Sequence, residues 1–162
     1  MKVPVGIRPN GLAFDPTRGH LLAANVGDPA IQGSFTLSIV DAMAGKMVTS
    51  IPVSGRTRWA LYDPQADAFY VNISDPAEIV VVEGKKADRV SRTIPIPALG
   101  PHGLDLDAKS GRLFCACDGK VLITLEAKSG QVLSELPLSG GPDVIFFNST
   151  LQLFMSPAVT RA

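Results

Sequence analysis

Four polar residues stand at matching places in this sequence. Asn10, Arg58, His102 and Asp143 each immediately precede a short, largely apolar run: GLAF, WALY, GLDL and VIFF. Their types differ, and so does the chemistry each can do. Asn10 and Asp143 offer oxygen ligands to a hard cation. Arg58 suits a carboxylate or phosphate, which its planar fork can grip with two hydrogen bonds. His102 can act as base, acid or ligand, and is the best candidate for a catalytic group. Together the four are a candidate ligand-binding set. Asn10, His102 and Asp143 are also a candidate site for a divalent cation such as calcium, magnesium or zinc. A plainer reading stands beside these: Asn10 after Pro9, and His102 after Gly100-Pro101, are good turn starters.

These residues must be placed by a repeat. Asp15, Asp63 and Asp107, with Asn148 as a fourth mark, recur with a period in the forties. Such a period filled with short strands points to β-propeller blades of four strands each. Strand one is expected at 11–14, 59–62, 103–106 and 144–147. A turn follows, written DPTRG, DPQAD and DAKSG, whose Asp, Pro and Gly suit a tight reversal. Strand two is expected at 20–25, 68–72, 112–117 and 151–155, and strand three at 36–41, 78–83 and 120–126. Strand four is expected at 47–53, 89–96 and 132–138, and residues 2–6, KVPVG, resemble its end. No window carries a helical period without strand-like interruptions. The fold class is therefore all-β: a partial propeller of about three and a half four-stranded blades, from a ring of six to eight. Blade boundaries are expected near 7–55, 56–100, 101–141 and 142–162, the last incomplete.

A twisted sheet with two apolar faces cannot bury both alone, and stacking sheets around an axis does so. That accounts for inner strands such as LLAA, AFYV and LFCAC, which are apolar throughout instead of alternating. Residues just before strand one would then face the mouth of the central channel, where Asn10, Arg58, His102 and Asp143 would meet. A wet channel mouth also tolerates any polar residue. The loops between strands two and three open on the same rim with Asn25, Asp28, Asn72, Asp75 and Asp118, all of which turn chemistry explains. His20 falls in a turn on the opposite rim and is expected to be exposed. Cys115 and Cys117 share one strand face, where a disulfide would be strained, and read as small buried residues.

Composition narrows the function. The chain of 162 residues carries 15 Lys and Arg against 15 Asp and Glu. A neutral balance gives no electrostatic footprint for nucleic acid or an anionic membrane. Apolar runs are strand-sized, far from the ~20 residues of a membrane span. MKVPVGIRPNG lacks the apolar core of a secretory signal, which argues for the cytoplasm, or for a periplasmic or secreted protein if the N-terminus is truncated. No phosphate loop, G-x-S-x-G elbow or H-E-x-x-H occurs.

The motifs Tyr70-Val71-Asn72, Asn25 with Gly27-Asp28, Asp41, Gly45-Lys46 and Pro52 with Gly55 resemble the YVTN-type β-propeller repeat across nearly the whole chain. Asn10-Gly11-Leu12 is similar, more narrowly, to a metal-site strand of gluconolactonase and senescence-marker-protein propellers. Pro101-His102-Gly103 has His where that family has Asp, Asp143 follows Pro142 without the glycine, and the family's N-terminal glutamate ligand has no counterpart. Three functions are consistent with these features. One is a binding or scaffold propeller that recognises a small molecule or protein at the channel mouth. Another is a metal-dependent lactonase- or lyase-like enzyme. The third is an accessory propeller of a redox complex, its cofactor held elsewhere. An unclosed arc further implies either more blades from a longer chain or a homodimer.

Overall fold

The computed structural model describes residues 2–155 and the short strand at 158–159. The remaining end of the expected fourth blade lies outside the described residues. Three four-stranded antiparallel sheets follow one another along the chain. The first holds β1 (Pro9–Asp15), β2 (His20–Asn25), β3 (Thr36–Asp41) and β4 (Lys46–Pro52). The second holds β5 (Thr57–Asp63), β6 (Ala68–Ile73), β7 (Glu78–Glu83) and β8 (Arg92–Pro95). The third holds β9 (Pro101–Asp107), β10 (Arg112–Cys117), β11 (Val121–Glu126) and β12 (Val132–Pro137). Two short pairs begin a fourth: β13 (Gly141–Pro142) with β16 (Ala158–Val159), and β14 (Phe146–Asn148) with β15 (Leu153–Met155). Strand one of each sheet packs beside strand one of the next, β1 on β5 and β5 on β9. This is a β-propeller arc of three complete blades and the start of a fourth.

The recurring Asp marks are hairpin turns built by side chains. Asp15 Oδ1 accepts from the Thr17 and Arg18 amides at 2.8 and 3.3 Å. Asp63 accepts from Gln65 at 2.8 Å and Asp107 from Lys109 at 3.2 Å. Asn148 accepts from Thr150 and Leu151 at 3.1 and 3.0 Å. Each turn then passes through a left-handed residue: Gly19, Asp67, Gly111 and Gln152. Asp67 tolerates that conformation better than most residues, and it is further held by Arg18. Arg18 forks onto Asp67 at 2.6 and 2.8 Å while also reaching Asp15 at 2.7 Å, so it ties blade one to blade two.

The core lies between blades, and side-chain parity assigns each residue to one interface. Phe69, Val71 and Ile73 of β6 pack on Leu22, Ala24, Leu37 and Ile39 of blade one. The alternate residues Ala68 and Tyr70 pack on Leu104, Leu113, Cys115 and Cys117 of blade three. Phe114 and Ala116, on the other face of β10, meet Ile145 and Phe147. Each fully buried side chain of this size contributes roughly 1.5–3 kcal/mol.

Several expectations need correction. Strand four of blade two is Arg92–Pro95, because a 3₁₀ turn at Gly84–Lys86 and the turns after it use the preceding residues. Residues 2–6 form no strand; Gly6 instead donates to Ser38 Oγ at 3.3 Å and lies so close to Asn25 and Thr36 that no Cβ would fit. His20 is half-buried and not exposed, since its strand is paired on both sides, opposite Asp15 and Asp41.

Candidate functional site

Strand one of each complete blade starts with the same irregularity. The pairing slips by one residue between Pro9 and Gly11, between Thr57 and Ala60, and across the Pro101–Gly103 step. In the fourth segment Asp143 directly follows Pro142, which pairs with Ala158, and comes before the paired Phe146. A bulge of this kind leaves a residue unpaired and re-aims its side chain. The residues at that step are Asn10, Arg58 and His102, and Asp143 holds the matching place. The equivalence of the first three, read from the repeat, thus has a backbone cause.

Three of the four meet. Arg58 Nη1 lies 3.3 Å from His102 Nε2, and Asp143 Oδ1 lies 3.0 Å from the same nitrogen. Asn10 does not join them: it is exposed on blade one, at the far end of the arc, and does not line this pocket. A residue assigned above to turn chemistry completes the cluster. Asp118 Oδ1 is 2.9 Å from His102 Nδ1, and Asp118 Oδ2 is 3.9 Å from Arg58 Nη2. Side-chain exposure is 16% for Arg58 and 15% for His102, against 45% for Asp118 and 65% for Asp143. Arg58 and His102 therefore form the floor, and the two carboxylates the wall.

The cavity above them measures about 830 Å³ and is also lined by Arg56, Lys120, Ser139, Gly140, Gly141 and Pro142. That is the size of a small-molecule site. Burial, and then the neighbouring Arg56 charge, pull the Arg58 guanidinium below its ordinary value, while Asp118 and Asp143 pull the other way. Arg58 Nε is buried with no hydrogen-bond partner among the described residues. A guanidinium has five N–H donors, so this one has donors to spare. His102 has a partner in either state. With Nδ1–H given to Asp118, a bare Nε2 accepts from Arg58, whereas a protonated Nε2 donates to Asp143.

A residue behind the site holds it in place. Asn72 is fully buried on β6, and its amide donates to the His102 and Gly103 carbonyls at 3.0 and 3.1 Å. Asn25, which ends β2 of blade one, faces the other way and bonds Thr36 and Ser38 at 3.0 Å. The pairing explains the split: Ala68 stands opposite Asp63 as His20 stands opposite Asp15, so Asn72 is four residues along its strand and Asn25 five. Both are buried strand residues, not turn residues. Asp28 is a turn residue, accepting from the Ala30 amide at 2.9 Å.

Cys115 and Cys117 are buried with sulfurs 3.8 Å apart. The Cys117 contact, and then burial, hold the Cys115 thiol well above its ordinary value. Among the described residues, no group of three or more His, Cys, Asp or Glu side chains is arranged to hold a metal ion. No helix among them is long and apolar enough to cross a membrane.

No protein-family model matches the chain, and no curated protein matches it. Among solved structures it is similar to Kuenenia stuttgartiensis hydrazine synthase, with a TM-score of 0.81 at 15% sequence identity. The superposition covers 98% of this chain and 44% of that one. The chain thus spans less than half the length of that neighbour. At this identity the likeness speaks of the fold alone.

Proposed function

We propose that this propeller arc is a binding domain whose rim pocket takes the carboxylate or phosphate group of a small molecule or a protein partner. The observation that carries this reading is Arg58: a mostly buried guanidinium with spare donors, flanked by Arg56 and Lys120 at the floor of a cavity. An anion there would meet the Arg58, Arg56 and Lys120 charges in a site partly shielded from water, where charge-assisted bonds are strongest. Titration calorimetry with inorganic phosphate and with acetate at low salt tests it. Arg58→Gln should weaken binding at least roughly tenfold, since a hydrogen bond to a charged group contributes about 1.5–3 kcal/mol. Unchanged affinity in that variant contradicts the reading.

One contact favours a second reading, in which the pocket does acid–base chemistry. Asp118 at Nδ1 orients His102 as the acid of an acid–base pair does, with Nε2 set between Arg58 and Asp143. A lactonase- or lyase-like activity of this kind would be lost in His102→Gln. A divalent cation at Asn10, His102 and Asp143 fits less well, because Asn10 stands apart and the Arg58 guanidinium already approaches Nε2. An ion retained in native mass spectrometry and lost in Asn10→Ala would support it.

The arc also presents surfaces suited to partners. Leu12 and Phe14 are exposed at one end, and Phe146, Leu153, Phe154 and Met155 at the other. We infer that other blades cover them, from a longer chain or a second copy.

A further inference from the structure

A second cavity opens beside the first. It measures about 710 Å³ and is lined by Arg8, Val26, Pro29, Phe35 and Pro76, with Arg56 as the wall common to both. The fold builds this place in the same way on successive blades. The Arg8 carbonyl accepts from the Val26 amide at 3.0 Å, and the Arg56 carbonyl accepts from Ser74 at 2.9 Å. Arg8 and Arg56 therefore hold one repeat position, two residues before Asn10 and Arg58. The Gly100 carbonyl, bonded to the Asp118 amide at 2.9 Å, holds it on the third blade. Arg8 adopts a left-handed backbone with φ of 55°, a conformation that residues with a side chain seldom take.

The two cavities differ in character. The first is ringed by Arg56, Arg58, His102, Asp118, Lys120 and Asp143. The second has an apolar side of Val26, Pro29, the half-buried Phe35 ring and Pro76, facing Arg8 and Arg56. Asp75 is its one acidic residue. We infer that the ligand is an amphipathic organic anion: a carboxylate or phosphate head on Arg58 and Arg56, with an apolar ring or short hydrocarbon arm laid past Arg56 onto Phe35 and its neighbours. This rests on the anion-site reading above and narrows it to a small molecule, since both cavities are of small-molecule size.

The test compares inorganic phosphate with phenyl phosphate, and acetate with phenylacetate, on the purified chain. The ring-bearing member of each pair should bind roughly tenfold tighter, the gain expected from partly burying a phenyl group. The phosphate and acetate arms distinguish the two head groups. Phe35→Ala should remove that gain and leave inorganic phosphate unaffected. Saturation-transfer NMR on the unaltered chain should carry magnetisation between Phe35 and the phenyl protons, which keeps the test independent of how the variant folds. Equal affinity within both pairs, or no transfer from Phe35, overturns the inference while leaving the anion site standing. If neither inorganic anion nor its phenyl partner binds, the anion-site reading itself fails.

Discussion

His102 is held from three sides, by a different chemistry on each. Asp118 takes its Nδ1, Arg58 and Asp143 share its Nε2, and Asn72 fixes its carbonyl from the blade behind. Asn72 reaches the site only by way of the His102 and Gly103 carbonyls and is a positioning residue. Removing its side chain leaves buried carbonyls short of a donor, at a cost of about 1–3 kcal/mol. Asn72→Ala should therefore lower stability by that amount in urea denaturation and also weaken phosphate binding at the rim, although Asn72 does not line the pocket. Lost stability with unaltered phosphate affinity would limit Asn72 to a packing role. At this scale the sequence was only partly legible. The polar types at Arg58, His102 and Asp143 could be picked out from their place in the repeat. Asp118 could not, because a turn residue before glycine gives no sign of which neighbour it will face. Nor could the opposed directions of Asn25 and Asn72, since a difference of one residue along a strand reverses the face.

At the scale of elements, the slip at the start of strand one decides what the pocket contains. Gly11 and Gly103 each follow a re-aimed residue, and each lets strand one come close to the next blade. A Cβ at Gly11 would lie 2.4 Å from the Arg58 carbonyl oxygen, and one at Gly103 would lie 3.0 Å from the Ile145 nitrogen. Backbone cannot yield to a methyl as a flexible side chain can, so Gly11→Ala should destabilise by about 1–3 kcal/mol. Gly141→Ala, with open space around it, should stay within roughly 0.5 kcal/mol. Similar losses in the two variants, read as shifts in the denaturation midpoint, would show that close blade contact is not what Gly11 provides. Strand positions were legible from apolar runs and Asp-marked turns because both are local. The bulge was not: it skips a single residue, and the apolar pattern on either side reads as continuous. The expected strand at 89–96 contains β8 but begins three residues early, because Val90 lends the end of the preceding turn a strand-like residue.

At the scale of the molecule, the blades are joined by apolar faces and by charged struts on the rim opposite the pocket. Arg18 and the Tyr62 hydroxyl hold the Asp67 carboxyl below its ordinary value; Arg18 and two backbone amides do the same for Asp15, against the effect of burial. Asp41 and Asp107 are also lowered, chiefly by hydrogen bonds within their turns. A carboxylate whose folded value is depressed lends stability that is fully present above its unfolded value, near 3.9. That stability is lost as pH falls through the folded value. The thermal midpoint should thus hold between about pH 7 and 5 and drop below about pH 4. Arg18→Gln should lower the midpoint at neutral pH and flatten its acid fall; an acid profile unaltered by the substitution would remove Arg18 from the account. The exposed apolar ends predict concentration-dependent self-association in sedimentation velocity, reduced in Leu12→Glu and Phe14→Glu. The overall architecture was the most legible level, because a repeat states the same fold several times. The meeting of Arg58, His102 and Asp143 follows from that repetition, and Asn10 is left out because it lies at the far end of the arc.

The central claim is that Arg58 and His102 together form the floor of an anion site. NMR of the arginine Nε–H and imidazole groups during titration with inorganic phosphate tests it most directly. The Arg58 and His102 signals should move together and saturate, while exposed arginines such as Arg89 and Arg112 stay in place. Signals that do not move, or that drift alike at every arginine, would contradict the claim.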